Sequence, residues 1–154
     1  MLALRLVRLI ETHSEQLAAA LHETLIQSPE CSDFRKIPPT DLVSRASEIY
    51  QNLSDWLVDR PDSDIARHFV EIGYRRAEQG VAFSHIVWAI LATKWNLRRS
   101  LEGEGTSETP VEVYGALELF SLFDRFFDSA IYHAAEGYER YQAALGAPGA
   151  RRVA

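Results

Sequence analysis

The fold is decided by residues 110–145, which read PVEVYGALELFSLFDRFFDSAIYHAAEGYERYQAAL. Apolar residues recur along this stretch at the spacing of an amphipathic helix. Thr109 is a predicted N-cap, Pro110 suits the first helical position, and Glu112 completes a capping box. We therefore expect one unbroken helix of about 50 Å, at a rise of 1.5 Å per residue.

Two apolar stripes line this predicted helix. One consists of Val113, Leu117, Phe120, Phe127, Ile131, Ala134, Tyr138 and Tyr141, and the other of Ala116, Leu119, Phe123, Phe126 and Ala130. The helix is longer than a compact domain of this size needs, so its surplus apolar surface has to be covered. A second copy of the chain is the simplest cover, and a homodimer is predicted.

Four further helices are predicted upstream from apolar periodicity and from start and stop signals. They cover residues 2–26, 40–57, 62–80 and 84–101, with predicted loops at 29–39 and 103–109. Thr40 and Ser84 are the predicted N-caps of the second and fourth helices, and Gly80 is the predicted C′ residue of the third. No alternating β pattern of useful length appears. The prediction is an all-α, five-helix bundle with a long C-terminal helix.

The composition fits one ordinary globular domain. Of the 154 residues, 47% are hydrophobic and 25% are charged, which excludes a wholly disordered chain, a collagen-like chain and a disulfide scaffold. Residues 1–145 are expected to form one helical domain, and residues 146–154 a flexible tail. The longest apolar run, residues 86–92, is far short of a membrane span, so no membrane association is predicted.

The charge and the cysteine count restrict partners and location. Sixteen basic residues against 22 acidic ones give a net charge of −6, which repels phosphate backbones, so no nucleic-acid partner is predicted. Cys31 is the only cysteine, which excludes an intrachain disulfide and fits a reducing cytoplasm. Its acidic neighbours disfavour a reactive thiolate.

Sequence motifs for catalysis and metal binding are absent. The chain has no Glu-x-x-His spacing typical of di-iron bundles, no zinc-protease motif, no Walker A loop and no Gly-x-Ser-x-Gly. Accordingly, no catalytic residue, metal site or cofactor is predicted, and the chain is not expected to be an enzyme.

Five residues are candidates for a ligand or signal site. Trp88 and Trp95 share a helix face, which either packs in the core or a dimer interface or lines an aromatic pocket for a small ligand or haem. His133 is the best candidate for a haem ligand. Asp124 interrupts an apolar stripe and needs a partner, either an Arg or helix-end amide of the domain or a signal. Asp128, one turn on, is close enough to couple with Asp124.

Two stretches of the sequence carry a family resemblance. Residues 67–84 read RHFVEIGYRRAEQGVAFS, and residues 122–130 read LFDRFFDSA, with Gly137-Tyr138 following. Together they resemble the N-terminal domain family of the RsbRD co-antagonists, which also occurs ahead of bacterial histidine kinases. In that family a Gly-x-x-Arg-Ala-x-Gln-Gly helix end precedes an apolar helix, and a Phe-Phe-Asp segment lies on the last helix.

The resemblance implies an all-α sensory or regulatory domain, related to non-haem globins, that dimerises and passes a signal to an output domain. Because no kinase core or anti-sigma-antagonist domain follows here, we expect the chain either to act on a regulatory partner of a kinase or anti-sigma system or to be a fragment. The predicted function is non-catalytic, cytoplasmic signal transduction through dimerisation and partner binding. The alternative is a small-molecule or haem binder with a pocket between the fourth and fifth predicted helices.

Overall fold

The computed structural model of the chain describes residues 2–102 and 109–146, with side chains from residue 4 onward. Nearly all of these residues are helical, and no strand occurs among them. The six α-helices are α1 (Leu2–Thr12), α2 (Ser14–Gln27), α3 (Pro39–Gln51), α4 (Asp62–Glu78), α5 (Phe83–Glu102) and α6 (Pro110–Gly146). A 3-10 segment (Pro29–Lys36) and a π-helical segment (Asp55–Asp59) lie between them. The predicted all-α fold with a long C-terminal helix is confirmed.

The first predicted helix is divided at His13 into α1 and α2. His13 has φ −103° and ψ 22°, outside the α-helical range. Its ring Nδ1 lies 2.9 Å from the carbonyl oxygen of Leu9, one turn earlier. A side chain that bonds to a nearby carbonyl competes with helix geometry, and here it accompanies the bend. The apolar spacing continues across this point, which is why the sequence pattern does not reveal the break.

The second predicted helix begins two residues earlier than a cap at Thr40 indicates, and it leaves the α conformation near its end. Pro39 is the first residue of α3 and Pro38 stands at the N-cap, so Thr40 is not the cap. Proline is well suited to the first helical turn because its fixed φ is already helical. At the other end, Asn52 leaves the α conformation, and the π-helical segment takes the place of the predicted last turn. Likewise, the predicted loop 29–39 is largely a 3-10 helix.

The start of α5 is capped from outside the helix. Ser84 lies within α5, so it is not the N-cap. Instead the carboxylate Oδ2 of Asp33, in the 3-10 segment, accepts a hydrogen bond of 2.9 Å from the backbone N–H of Ala82. In return, the backbone N–H of Asp33 donates to Nδ1 of His85 over 3.2 Å. This pair of bonds ties the 3-10 segment to the beginning of α5.

Helix α6 follows its sequence signals closely. The hydroxyl of Thr109 accepts a hydrogen bond of 3.2 Å from the backbone N–H of Glu112, as the predicted cap requires. The helix continues without a break to Gly146, so that glycine belongs to the helix and not to the predicted tail. The rest of the predicted tail, residues 147–154, and most of the predicted loop, residues 103–108, lie outside the described residues.

Helices α4 and α6 approach each other closely, and two glycines permit it. A Cβ atom added to Gly73 would lie 2.0 Å from the carbonyl oxygen of Ala134. One added to Gly137 would lie 2.0 Å from the carbonyl oxygen of Val70. Any side chain at either position would therefore force the helices apart. After this crossing, Gly80 adopts φ +76° and ends α4, as predicted for a C′ glycine.

Two apolar clusters make up the core. The larger one collects side chains from every α-helix except α4 and includes the fully buried Tyr50, Leu97 and Phe123. The smaller one joins the π-helical segment to α4 and α6 and consists of Trp56, Ile65, Phe69, Phe126 and Ala130. Phe69 and Phe126 meet edge to face, with ring centroids 5.6 Å apart. Because Phe126 and Phe127 are adjacent on α6, this helix connects the two clusters.

Candidate ligand cavity

Helices α2 to α6, with Phe34 of the 3-10 segment, line a partly open cavity of about 130 Å³. Most of its lining is apolar. Residues from both stretches that carry the family resemblance contribute to the wall: Phe69, Ile72, Arg76, Phe126, Phe127 and Ala130. An engineered apolar cavity of about 150 Å³ is known to hold benzene, so this space suits a molecule of roughly that size.

Arg76 brings a positive charge to the wall of this cavity. Its residue surface is only 3% exposed, and its Nη1 donates a hydrogen bond of 2.8 Å to the amide oxygen of Gln79. The guanidinium also lies 5.8 Å from the centre of the Phe34 ring. None of the ion pairs in the described residues involves Arg76. Burial, with a smaller effect from Arg75, lowers the pKa of Arg76.

Tyr50 places a second polar group at the cavity. The side chain is fully buried, and its hydroxyl has no hydrogen-bond partner among the described residues. Burial raises the pKa of Tyr50 well above its usual value, so the phenol stays neutral at any physiological pH. A buried hydroxyl without a partner costs free energy that a bound molecule can recover by supplying one.

The other ionisable residues of the wall are basic as well. His22 and Arg45 line the cavity and are only partly buried, so they mark a side that solvent can reach. Within the described ranges, no aspartate or glutamate lines the cavity. The exposed Asp41 has a small opposing effect on the pKa of Arg76, but it forms no ion pair with Arg76 among the described residues. The charged side chains on this mostly apolar wall are therefore basic.

The two tryptophans predicted to form an aromatic face do contact each other. The rings of Trp88 and Trp95 meet edge to face with their centroids 5.3 Å apart on α5. Trp88 packs partly against the larger core cluster, whereas Trp95 is exposed. Neither of them lines the cavity. The aromatic face is thus a surface feature of α5.

Asp124 has a partner within the domain. Its Oδ1 lies 2.7 Å from Nζ of Lys94 on α5, so the partner is a lysine, not the predicted arginine or helix-end amide. The lysine side chain is 18% exposed and the aspartate side chain 47%, which makes this pair a link between α5 and α6 at the edge of the core. Asp128 is exposed, and no contact joins it to Asp124 in the described residues. Neither carboxylate lines the cavity.

His133 is held by its own helix. Its Nδ1 donates to the carboxylate of Glu136, three residues on, and its ring packs edge to face against Tyr132. It lies outside the cavity wall, and the histidine that does line the cavity is His22. The structure therefore does not bring the five predicted site residues together. It leaves the tryptophan pair and the Lys94–Asp124 link on the α5–α6 surface, apart from His133.

Arg76 and Tyr50, the buried polar residues of the cavity wall, were not among the site residues predicted from the sequence. A signal for Arg76 was present, because it follows Phe69 by seven residues and Ile72 by four and so falls on the apolar stripe of α4. A charged residue on an apolar stripe indicates a buried partner or a ligand. Tyr50 was placed on the apolar stripe of its helix, but nothing in the pattern indicated that its hydroxyl would lack a partner.

Other kinds of site receive no support from the geometry. Among residues 2–102 and 109–146, no three His, Cys, Asp or Glu side chains are grouped closely enough to hold a metal ion. Within the same ranges, no helix has both the length and the apolar character needed to cross a bilayer.

Fold and cavity together define a class: an all-α domain built around a small, mostly apolar cavity. The match to a known family makes this specific. Residues 14–153 match the family described as the RsbT co-antagonist protein rsbRD N-terminal domain, and the chain belongs to that family. The family consists of regulatory domains in sigma-factor signalling and is not a known catalytic one. No curated protein and no solved structure shows a significant match to the chain.

The family assignment gives a structural meaning to the motif residues. Gly73 permits the close approach to α6, Arg76 lines the cavity, Gln79 binds the guanidinium, and Gly80 ends the helix. The second stretch meets the first, because the hydroxyl of Tyr138 donates to the carbonyl oxygen of Val81 over 2.9 Å. The residues that carry the resemblance thus build the α4–α6 contact and one wall of the cavity.

Proposed function

We propose that this domain is a non-catalytic, cytoplasmic regulatory module that pairs with a second copy of itself through α6 and passes a signal to a regulatory protein partner. Its family membership supports the regulatory role. The observation that supports pairing is an exposed apolar ridge on the first turns of α6, formed by Val111, Val113, Tyr114 and Leu117.

The ridge is unusual for a surface that faces only water. Leu117 is 59% exposed and Tyr114 is 66% exposed, although both lie on a helix whose opposite face is fully buried. Large apolar side chains grouped on one helix face mark interaction surfaces more often than isolated ones do. The exposed Leu4 of α1 lies across a groove from Val111 and Tyr114 and extends the apolar surface.

The charges beside the ridge favour a second copy as the occupant. Arg5 and Arg8 of α1 and Glu118 of α6 line the same groove as Tyr114, and all three charged residues are exposed. A surface that carries both signs of charge next to an apolar ridge can pair with a second copy of itself about a two-fold axis. In such a pair the arginines of one protomer would face the glutamate of the other, which offsets the repulsion expected from a net charge of −6.

The pairing proposal is tested by the molar mass of the protein in solution. Light scattering at micromolar concentration should give two protomers for the wild-type chain and one for Leu117→Glu, because a carboxylate on the ridge would have to be buried without a partner. Val58→Glu is the matched control, since Val58 is 68% exposed but lies on the π-helical segment. The control should stay dimeric.

A wild-type mass of one protomer would overturn the pairing proposal. So would a dimer that Leu117→Glu leaves intact, because the interface would then lie elsewhere. Circular dichroism of both variants verifies that the helical fold survives the substitution.

The second candidate function is binding of a small molecule, and the cavity is the observation that favours it. Residues of α5 and α6 contribute to the wall, as the alternative prediction requires, but α2, α3 and α4 complete it. A haem would need a larger space than about 130 Å³ and a free histidine, whereas His133 is bound to Glu136. A stoichiometric Soret band in the purified protein would reverse this preference. A small organic ligand fits the space better.

A further inference from the structure

We infer that the cavity is a binding site for a small apolar carboxylate, an organic monoanion about the size of benzoate, whose charged group meets Arg76 and Tyr50. This inference deepens the proposed function and rests on it for its regulatory meaning. The binding itself is argued from the cavity alone.

Arg76 carries a buried charge that has no ion-pair partner among the described residues. A buried guanidinium normally has a carboxylate or several strong acceptors around it, because desolvating an unpaired ion is expensive. Arg76 is nearly fully buried, yet one amide oxygen, that of Gln79, is its hydrogen-bond acceptor in the described residues. The guanidinium presents five N–H donors, so most of its capacity is left for another acceptor.

Tyr50 supplies a second polar group that lacks a partner. The hydroxyl of Tyr50 is buried without a partner, and Tyr50 lines the same cavity as Arg76. It is a neutral donor, so it suits an anionic acceptor. The hydroxyl of Tyr50 on α3 and the guanidinium of Arg76 on α4 therefore both have room for a hydrogen-bond acceptor. An anion in the cavity would supply it to both.

The chemistry of the cavity wall indicates which class of anion fits. The planar fork of a guanidinium matches a carboxylate through two parallel hydrogen bonds. Apart from its basic groups and Thr93, the wall consists of aliphatic and aromatic side chains, among them Leu21, Ile86 and Phe127. Such a wall favours an apolar body over a fully hydrated anion such as inorganic phosphate. The volume of about 130 Å³ limits that body to about the size of a benzene ring.

The site is placed to influence α6. Phe126, Phe127 and Ala130 of α6 form part of the wall, and the same helix carries the apolar ridge toward its beginning. A ligand that favours one packing of α6 against α4 and α5 over another would shift the population of the paired state. The signal of the domain would then be the occupancy of the cavity.

The test compares benzoate with benzamide, its neutral near-isostere, by titration calorimetry on the full chain at pH 7. We expect benzoate to bind and benzamide to bind at least tenfold more weakly. Arg76→Met should weaken benzoate binding at least tenfold and leave benzamide unchanged. Arg75→Met is the matched control, because Arg75 is the exposed neighbour on the same helix, and it should bind benzoate like the wild type.

Tyr50→Phe provides a second variant that does not depend on the folding of Arg76→Met. It removes only the orphan hydroxyl, so it should fold as well as the wild type while binding benzoate severalfold more weakly. Equal binding of benzoate and benzamide, or no binding of benzoate at millimolar concentration, would overturn the inference. An affinity for benzoate that Tyr50→Phe and Arg76→Met both leave unchanged would also overturn it. The mass of the ligand-free protein is measured separately, so loss of the site and loss of pairing are distinguishable.

Discussion

Gly73 and Gly137 set the distance between α4 and α6. Each lacks the Cβ atom that would otherwise lie 2.0 Å from a backbone carbonyl oxygen of the facing helix. Backbone atoms cannot rotate away as a side-chain end can, so a methyl group at either position has to displace a whole helix. Because α6 also carries cavity residues, the effect of such a displacement would reach the candidate site.

Gly73→Ala and Gly137→Ala are each expected to destabilise the fold by about 1–3 kcal/mol or more, the cost of overpacking a well-filled contact. Urea denaturation measures the change. Gly146→Ala is the control, since a Cβ at the end of α6 meets nothing within 4 Å, and it should be neutral or stabilising by up to about 1 kcal/mol. Equal stability of all three variants would mean that the helices are not in close contact at these positions.

The link between Lys94 and Asp124 is a second residue-level feature with a measurable consequence. Asp124→Asn should lower stability by roughly 0.5–1 kcal/mol, the upper range for a partly exposed ion pair. Asp128→Asn, four residues on and exposed, should change it less. Glu104, in the predicted loop, would be another reference carboxylate, but it lies outside the described residues. A double-mutant cycle with Lys94→Met isolates the pair, and a coupling energy of zero would contradict it.

His68 makes the stability depend on pH. It packs against Trp56 with ring centroids 4.7 Å apart, and its Nε2 is buried without a partner in the described residues. Burial first, and the charge of Arg60 second, lowers the pKa of His68. As pH falls through about 6.5, the ordinary histidine value, the unfolded chain takes up this proton before the folded one does. Stability should therefore decline on the acid side.

The corresponding measurement is urea denaturation at pH 7.5 and pH 5.5 for the wild type and for His68→Phe, which keeps an aromatic ring in the cluster. The variant should lose less stability between the two pH values than the wild type. Parallel losses would show that His68 does not contribute to the pH dependence.

At the scale of the element, the start of α5 depends on Asp33, which lies 49 positions before Ala82, the residue it binds. The hydrogen bond from the N–H of Ala82 is the main reason that the pKa of Asp33 lies below its usual value. A negative charge is favourable at this end of a helix because of the helix dipole. Lys36 and His85 add smaller effects in the same direction.

Asp33→Asn should therefore lower the urea midpoint at pH 7. The folded state holds the carboxylate ionised, so its contribution is present above the unfolded value of about 3.8 and disappears as pH falls below it. The difference between variant and wild type should shrink over that acid range. Glu30→Gln, in the same 3-10 segment and exposed, should have little effect at any pH. A constant difference down to pH 3 would contradict the capping role.

Sequence patterns predicted the helical elements well where local signals decide the structure. The Thr109 cap, the Gly80 terminus and the unbroken course of α6 follow from residues within one turn of each other. The Asp33 cap on α5 could not be predicted in this way, because its partner is distant in sequence. The bend at His13 was hidden for a different reason: its apolar neighbours keep the helical period on both sides of the bend.

At the scale of the whole molecule, the lining of the candidate site could not be predicted from sequence patterns. Trp88 and Trp95 were correctly placed on one face, but whether a face points to a cavity or to solvent depends on how five helices assemble. The role of Arg76 needed the three-dimensional structure, because only the assembled wall reveals that none of the described carboxylates pairs with it. The family motifs pointed to the right region without indicating what it encloses.

Helix α6 takes part in all three features of the molecule: it crosses α4, lines the cavity and carries the exposed ridge. Pairing through the ridge is the step on which a regulatory output depends. Pairing also distinguishes a regulatory module of this kind from a monomeric ligand binder, in which the ridge would have no function.

Disulfide cross-linking tests the pairing of α6 most directly. The native Cys31 is buried and does not compete, so single substitutions suffice. Under mild oxidation at low micromolar concentration, Leu117→Cys should form a covalent dimer in high yield, whereas Val58→Cys should stay monomeric on a non-reducing gel. A Leu117→Cys chain that cross-links no faster than Val58→Cys would contradict the proposal that two copies of this domain meet along α6.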